Sequence, residues 1–161
     1  MRSGRRDRTV RTAIVWLGLL AAGCATASDG IPRIVAGTPC AGCGMEARDL
    51  RWSAARRMGD RVRVYDSIEC ALRDESGTAA SRKAVLYLAD FETSALHRSD
   101  SLWVVRADIP SPMGGGFAAF LNPKAAERVA AERNGRVARF PDFAADRLSG
   151  ATDVPASRTR P

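Results

Sequence analysis

Two thiols and a thioether fall within six residues in Cys40-Ala41-Gly42-Cys43-Gly44-Met45. Soft sulfur donors gathered in this way favour thiophilic ions, Cu(I) above all. In extended backbone the side chains at i and i+2 point to one face, so Cys43 and Met45 can share an ion, with Gly44 leaving room between them. A third sulfur has to come from elsewhere. Met113 is the candidate, because Ser111-Pro112-Met113-Gly114 reads as a tight, exposed turn where a core methionine is out of place. Cys43, Met45 and Met113 are the candidate Cu(I) ligands, with packing as the alternative role for each methionine.

Other chemistries fit some of these residues. Cys40 and Cys43 have the Cys-x-x-Cys spacing of a thiol-disulfide oxidoreductase, but the βαβ context of a thioredoxin-like domain is missing. Cys40, Cys43 and Cys70 form most of a structural zinc site, which then needs a fourth ligand. His97 is the sole histidine, in the polar segment Ser94–Asp100, which reads as exposed. Cys70 itself reads as a buried thiol on a helix face near Ile68, with an auxiliary metal role as the alternative. Met45 can also serve as an adaptable gap-filler, and Met58 reads as structural. Asp66 and Asp90 each close a strand and read as capping or solvated groups. No Ser/His/Asp set has informative spacing and no nucleic-acid motif is present. Gly114-Gly115-Gly116 precedes a strand rather than a helix, so it is no phosphate loop. The pattern points away from an enzyme and from nucleic-acid partners. Arg56, Arg57, Arg61 and Arg63 read as solvated strand faces or as contacts to lipid headgroups.

The elements that must position these sulfurs repeat one order twice. In the first half, Trp52–Ala55 and Arg61–Tyr65 read as strands around a Gly59-Asp60 turn. Asp66 or Ser67 caps a helix over Ile68–Glu75, and Ala84–Ala89 is a buried strand. In the second half, Leu102–Val105 and Phe117–Leu121 are strands. Asn122 caps a helix with Pro123 at its first position, Asn134-Gly135 ends it, and Arg136–Phe140 is the closing strand. The predicted fold is α+β, two β-β-α-β units (about 39–92 and 100–143) with antiparallel sheet.

The N-terminus sets the compartment. Arg2, Arg5, Arg6, Arg8 and Arg11 precede an apolar run, Thr12–Ala22, of signal-peptide length. It ends in Leu20-Ala21-Ala22-Gly23-Cys24, which resembles a bacterial lipobox with Cys24 as the lipidated residue. Residues 1–23 are expected to be a lipoprotein signal, 24–38 a tether, 39–147 the folded domain and 148–161 a disordered tail. The whole chain carries +7; loss of five Arg and one Asp with the signal leaves +3, so the basic balance is no argument for nucleic acid. A lipid would anchor the domain at a membrane face without a spanning helix. With Cys24 lipidated, three cysteines remain of four, an odd number in an oxidising compartment. At least one is then free, metal-bound or paired between chains.

In order along residues 20–143, the lipobox, Cys40-Ala41-Gly42-Cys43-Gly44-Met45, Val64-Tyr65-Asp66-Ser67-Ile68-Glu69-Cys70, Ser111-Pro112-Met113-Gly114 and the ending Arg136-Val137-Ala138-Arg139-Phe140 resemble the NosL family, outer-membrane copper lipoproteins of nitrous oxide reductase assembly. The resemblance implies two β-β-α-β units, one Cu(I) per chain, and ligands that fall on Cys43, Met45 and Met113. It also implies delivery of copper for nitrous oxide reductase with a membrane ABC-type complex, from a lipid anchor in the outer membrane facing the periplasm. Family members often carry a charged or polar residue soon after Pro-Met-Gly, where this chain has Gly115-Gly116.

Overall fold

The computed structural model describes residues 30–74 and 84–143. The predicted signal, Cys24 and the predicted tail lie outside the described residues. β1 (Thr38–Pro39) and β2 (Glu46–Ala47) form a two-stranded clip, with Thr38 opposite Ala47 and Pro39 opposite Glu46. β3 (Ala54–Met58), β4 (Arg61–Tyr65), α1 (Ile68–Arg73) and β5 (Val85–Ala89) then follow as one β-β-α-β unit. β6 (Leu96–Arg98) adds to its far edge, so the antiparallel sheet runs β4-β3-β5-β6. β7 (Trp103–Arg106), β8 (Phe117–Phe120), α2 (Pro123–Glu132) and β9 (Arg136–Arg139) repeat the order, in a sheet β8-β7-β9. In each sheet the first strand of the unit is central, flanked by the second and third. The α+β fold with two β-β-α-β units is the one expected.

Local chemistry explains most boundaries. Gly59 turns the β3–β4 hairpin in the left-handed region, at φ +59°. Ser67 caps α1 by accepting from the Cys70 amide, and Asn122 caps α2 by accepting from the Lys124 amide, with Pro123 at the first position. Asn134 takes φ +50° just past α2, and the Gly135 amide donates back to Ala130 O at 2.7 Å.

The second sheet is buried on both faces. Val104, Phe117 and Ala119 join the core that holds Tyr65, Ile68, Cys70 and Leu88 of the first unit. Val105, Ala118 and Phe120 face the other way, against Ala125, Ala126 and Ala130 of α2 and against Trp52. Alternate residues of β7 and β8 therefore serve different cores, which is why these strands read as unbroken apolar runs. Burial of this apolar area supplies the main driving force that holds the two units together.

Asp90 joins the units in detail. Its Oδ1 accepts from the Leu121 amide at 2.9 Å, and its Oδ2 accepts from the Thr93 amide and hydroxyl at 3.1 and 2.7 Å. The neighbouring Phe91 amide donates to Ala119 O at 2.7 Å. The capping role expected of Asp90 is present, and it also links β5 to β8.

Three expectations are corrected. Trp52 is not in a strand: Leu50–Trp52 is a 3-10 turn capped by Asp49, and the strand starts at Ala54. The segment Ser94–Asp100 is not simply exposed loop, since β6 pairs with β5 and places His97 opposite Leu88, half-buried. Arg56 is not solvated. It is buried, and its Nη2 donates to Ala71 O of α1 at 2.8 Å, because α1 packs on β3 and covers that face. Among the described residues no helix is long and apolar enough to cross a membrane.

Candidate metal centre

The Cys-x-x-Cys-Gly-Met loop spans the tip of the β1–β2 clip. The Cys40 amide donates to Met45 O at 2.7 Å and the Gly44 amide to Cys40 O at 2.9 Å, closing the loop on itself. Gly44 sits at φ +79°, a conformation that costs glycine little and other residues more. The loop is then laid on the first unit. The Ala41 amide donates to Val64 O at 2.7 Å, and Arg63 Nη2 donates to Ala41 O at 3.2 Å. Gly42 faces α1 so closely that a Cβ there would lie 3.4 Å from Cys70 Cβ.

This docking gathers four donors. The Sγ atoms of Cys40, Cys43 and Cys70 and a carboxylate oxygen of Asp66 all lie within 4.8 Å of one another. Cys40, Cys70 and Asp66 are buried, whereas Cys43 is exposed. Cys43 donates its thiol proton to Asp66 Oδ1 at 3.7 Å, which turns the exposed sulfur toward the buried pair. The Gly42 amide donates to Cys40 Sγ at 3.4 Å. Burial pushes the Cys40 thiol above its ordinary value, and hydrogen bonds from backbone amides partly offset this. Burial raises Cys70 more strongly, helped by its hydrogen bonds with Asp66 and Cys43. Both thiols therefore keep their protons at neutral pH until an ion displaces them.

The geometry suits a sulfur-loving ion. With metal–sulfur bonds of about 2.3 Å, the edge of a tetrahedral donor set is about 3.8 Å. Small rotations of the three Cys side chains would close the set. His97, considered from sequence as a fourth ligand, lies on β6 and is not in this group; Asp66 takes the fourth place. From sequence Asp66 reads as a strand-closing residue or as the cap of α1, a role that Ser67 takes instead. The signal that marks it is the i, i+4 spacing to Cys70 across the start of α1.

Met45 is 46% exposed and lines a cleft of about 620 Å³ beside the cysteine loop, with Gly44, Asp66, Pro110, Ser111 and Pro112; Met113 is not among that cleft's lining residues. The Pro112 turn is as expected: the Gly114 amide donates to Ser111 O at 3.0 Å, and Gly114 has φ +70°. Met113 is half-buried and packs against the core that contains Cys40 and Cys70. Ser111 holds this turn in place by donating to Glu69 Oε1 at 2.5 Å while accepting from the Gly116 amide at 2.9 Å. Glu69 is buried and stands beside Gly115, so the space after Pro-Met-Gly is already filled by a carboxylate from α1.

A family model matches residues 32–148, a span that runs from before the clip to beyond β9 and includes both units and Cys40, Cys43, Met45, Cys70 and Met113. The chain belongs to the NosL family. The crystal structure of the copper chaperone NosL from Shewanella denitrificans shares this fold, with a TM-score of 0.57 at 16% identity, over 70% of this chain and 94% of that one. No curated protein matches the chain. Within this NosL-family chain the Cys-x-x-Cys-Gly-Met loop is carried by the clip docked on the first β-β-α-β unit and the Pro-Met-Gly turn by the second unit, and the cleft is lined by Gly44 and Met45 of the one and Pro110, Ser111 and Pro112 of the other.

Proposed function

We propose that this chain is a Cu(I) metallochaperone, not an enzyme, held in the cell envelope by a lipid on Cys24. In this reading it delivers copper for the maturation of nitrous oxide reductase, working with a membrane ABC-type complex from the periplasmic face of the outer membrane. NosL-family membership and the copper chaperone with the same fold support it. The observation that carries it is Cys43, an exposed thiol beside a cleft lined by Met45 and the turn that leads to Met113. Cys43 supplies the thiolate, and Met45 and Met113 supply thioethers from the two units. Low coordination by soft donors leaves a bound Cu(I) open to an incoming ligand, which is what transfer requires.

The test is anaerobic Cu(I) titration of the mature chain against a bicinchoninate competitor. One Cu(I) per chain is expected, with affinity lowered tenfold or more by each of Cys43→Ser, Met45→Leu and Met113→Leu. Three silent variants would sink the ligand assignment. Asp66 favours one second reading, a structural zinc module on Cys40, Cys43, Cys70 and Asp66, since a carboxylate completes a tetrahedral set. Co(II) separates the two: strong visible bands that vanish in Cys70→Ser would support zinc.

A further inference from the structure

Cys40 and Cys70 are left without a part in a Cys43–Met45–Met113 site, yet the fold brings both to Cys43. Their sulfurs lie within 4.8 Å of one another and of Cys43 Sγ, and both are buried. The proximity is built by three separate features: the Ala41–Val64 backbone bond, the Arg63–Ala41 bond, and the Ser67 cap that sets the first turn of α1, against which Gly42 lies close to Cys70. Asp66 accepts from Cys43 and aims it inward. A carboxylate oxygen is a poor ligand for Cu(I), so a soft ion there would take the three sulfurs and leave Asp66 as their neighbour.

We propose that Cys40, Cys43 and Cys70 form an interior three-thiolate position for Cu(I), which shares Cys43 with the outer thioether position. The inference rests on the copper reading for the identity of the ion. Loading breaks three S–H bonds and forms three Cu–S bonds. The three protons go to solvent and copper stays Cu(I), so no oxidant or reductant is needed. The ion pivots on Cys43. When Met45 and Met113 are displaced by an acceptor's ligands, the buried thiolates keep the ion from escaping into water.

The test uses the full mature chain with Met45→Leu and Met113→Leu combined, titrated anaerobically with Cu(I). This double variant is expected to retain one Cu(I), more weakly than wild type, with a near-ultraviolet thiolate-to-copper band. Adding Cys70→Ala or Cys40→Ala should weaken that remainder a hundredfold or more. X-ray absorption at the copper edge of the double variant, which alters no cysteine, should find three sulfurs. A double variant that holds no Cu(I) while wild type does, or that shows fewer than three sulfurs, would overturn the interior site and leave the outer one standing. A wild-type chain that takes up no Cu(I) would overturn both.

Discussion

Ser111 donates its hydroxyl to Glu69 Oε1 at 2.5 Å, and so ties the turn that carries Met113 to the helix that carries Cys70. The same hydroxyl accepts from the Gly116 amide at 2.9 Å, which leaves the turn little freedom to drift from α1. Glu69 Oε2 is buried and has no hydrogen-bond partner among the described residues, so this carboxylate depends on Ser111. Ser111→Ala is expected to destabilise the fold by about 2 kcal/mol, the cost of leaving a buried acceptor short of a donor. Urea denaturation would measure it, and an unchanged midpoint would mean the bond does not form in solution.

Gly115→Ala tests the same contact from the other side. An added Cβ would lie 2.6 Å from Glu69 Cγ, which real side chains do not tolerate, and Glu69 is buried, so it has little room to give way. The expected cost is about 1–3 kcal/mol, with a fall in Cu(I) affinity as the Met113 turn is pushed away. Combining it with Glu69→Ala should cost less than the sum of the two single changes, because the second change empties the space the first one needs. Strict additivity would argue against the contact.

Asp90→Ala removes three hydrogen bonds, one from Leu121 across the joint between the units and two from Thr93 in the adjoining turn. A loss of roughly 2–3 kcal/mol is expected. Asp90→Asn should lose less, since its amide oxygen can still accept from Leu121. If the joint matters for cooperativity, Asp90→Ala will also broaden the unfolding transition. A sharp transition at the wild-type midpoint would contradict the role given to Asp90.

Tyr65 makes stability depend on alkaline pH. Burial and then its hydrogen bond to Asp74 push the phenol up to about 12. The unfolded chain ionises this tyrosine near 10. Between the two values the unfolded state therefore binds fewer protons than the folded one, and stability falls as pH rises. The contribution is fully present below pH ~10 and lost through pH ~12, worth roughly 2–3 kcal/mol. Tyr65→Phe should be less stable at pH 8 but lose less between pH 9 and 11. Parallel wild-type and variant curves over that range would refute the assignment.

Asn122→Ala should cost about 1 kcal/mol by removing the α2 cap, measurable by thermal unfolding. No change would mean that Pro123 alone starts the helix.

Much of this molecule is legible in the sequence because its causes are local. The Asn122-Pro123 start and the Gly59 turn follow from what those residues do to their own backbone, and the alternation of Arg61–Tyr65 follows from strand periodicity. The Cys43–Gly44–Met45 spacing and the Pro112 turn were legible for the same reason, as was the NosL resemblance, which rests on short motifs in fixed order. What the tertiary structure alone decided is which surfaces meet. Arg56 is buried because α1 packs over β3, and nothing in the pair Arg56-Arg57 marks which of the two faces a helix will cover. β6 becomes a strand because β5 has a free edge to pair with. Asp66 and Cys70 join Cys40 and Cys43 because the loop docks on the end of β4 and the first turn of α1. That docking rests on the Ala41–Val64 backbone bond and on the bond from Arg63 to Ala41 O, both made to backbone oxygens of residues distant in sequence; every residue carries such an oxygen, so no side chain marks where the loop will dock.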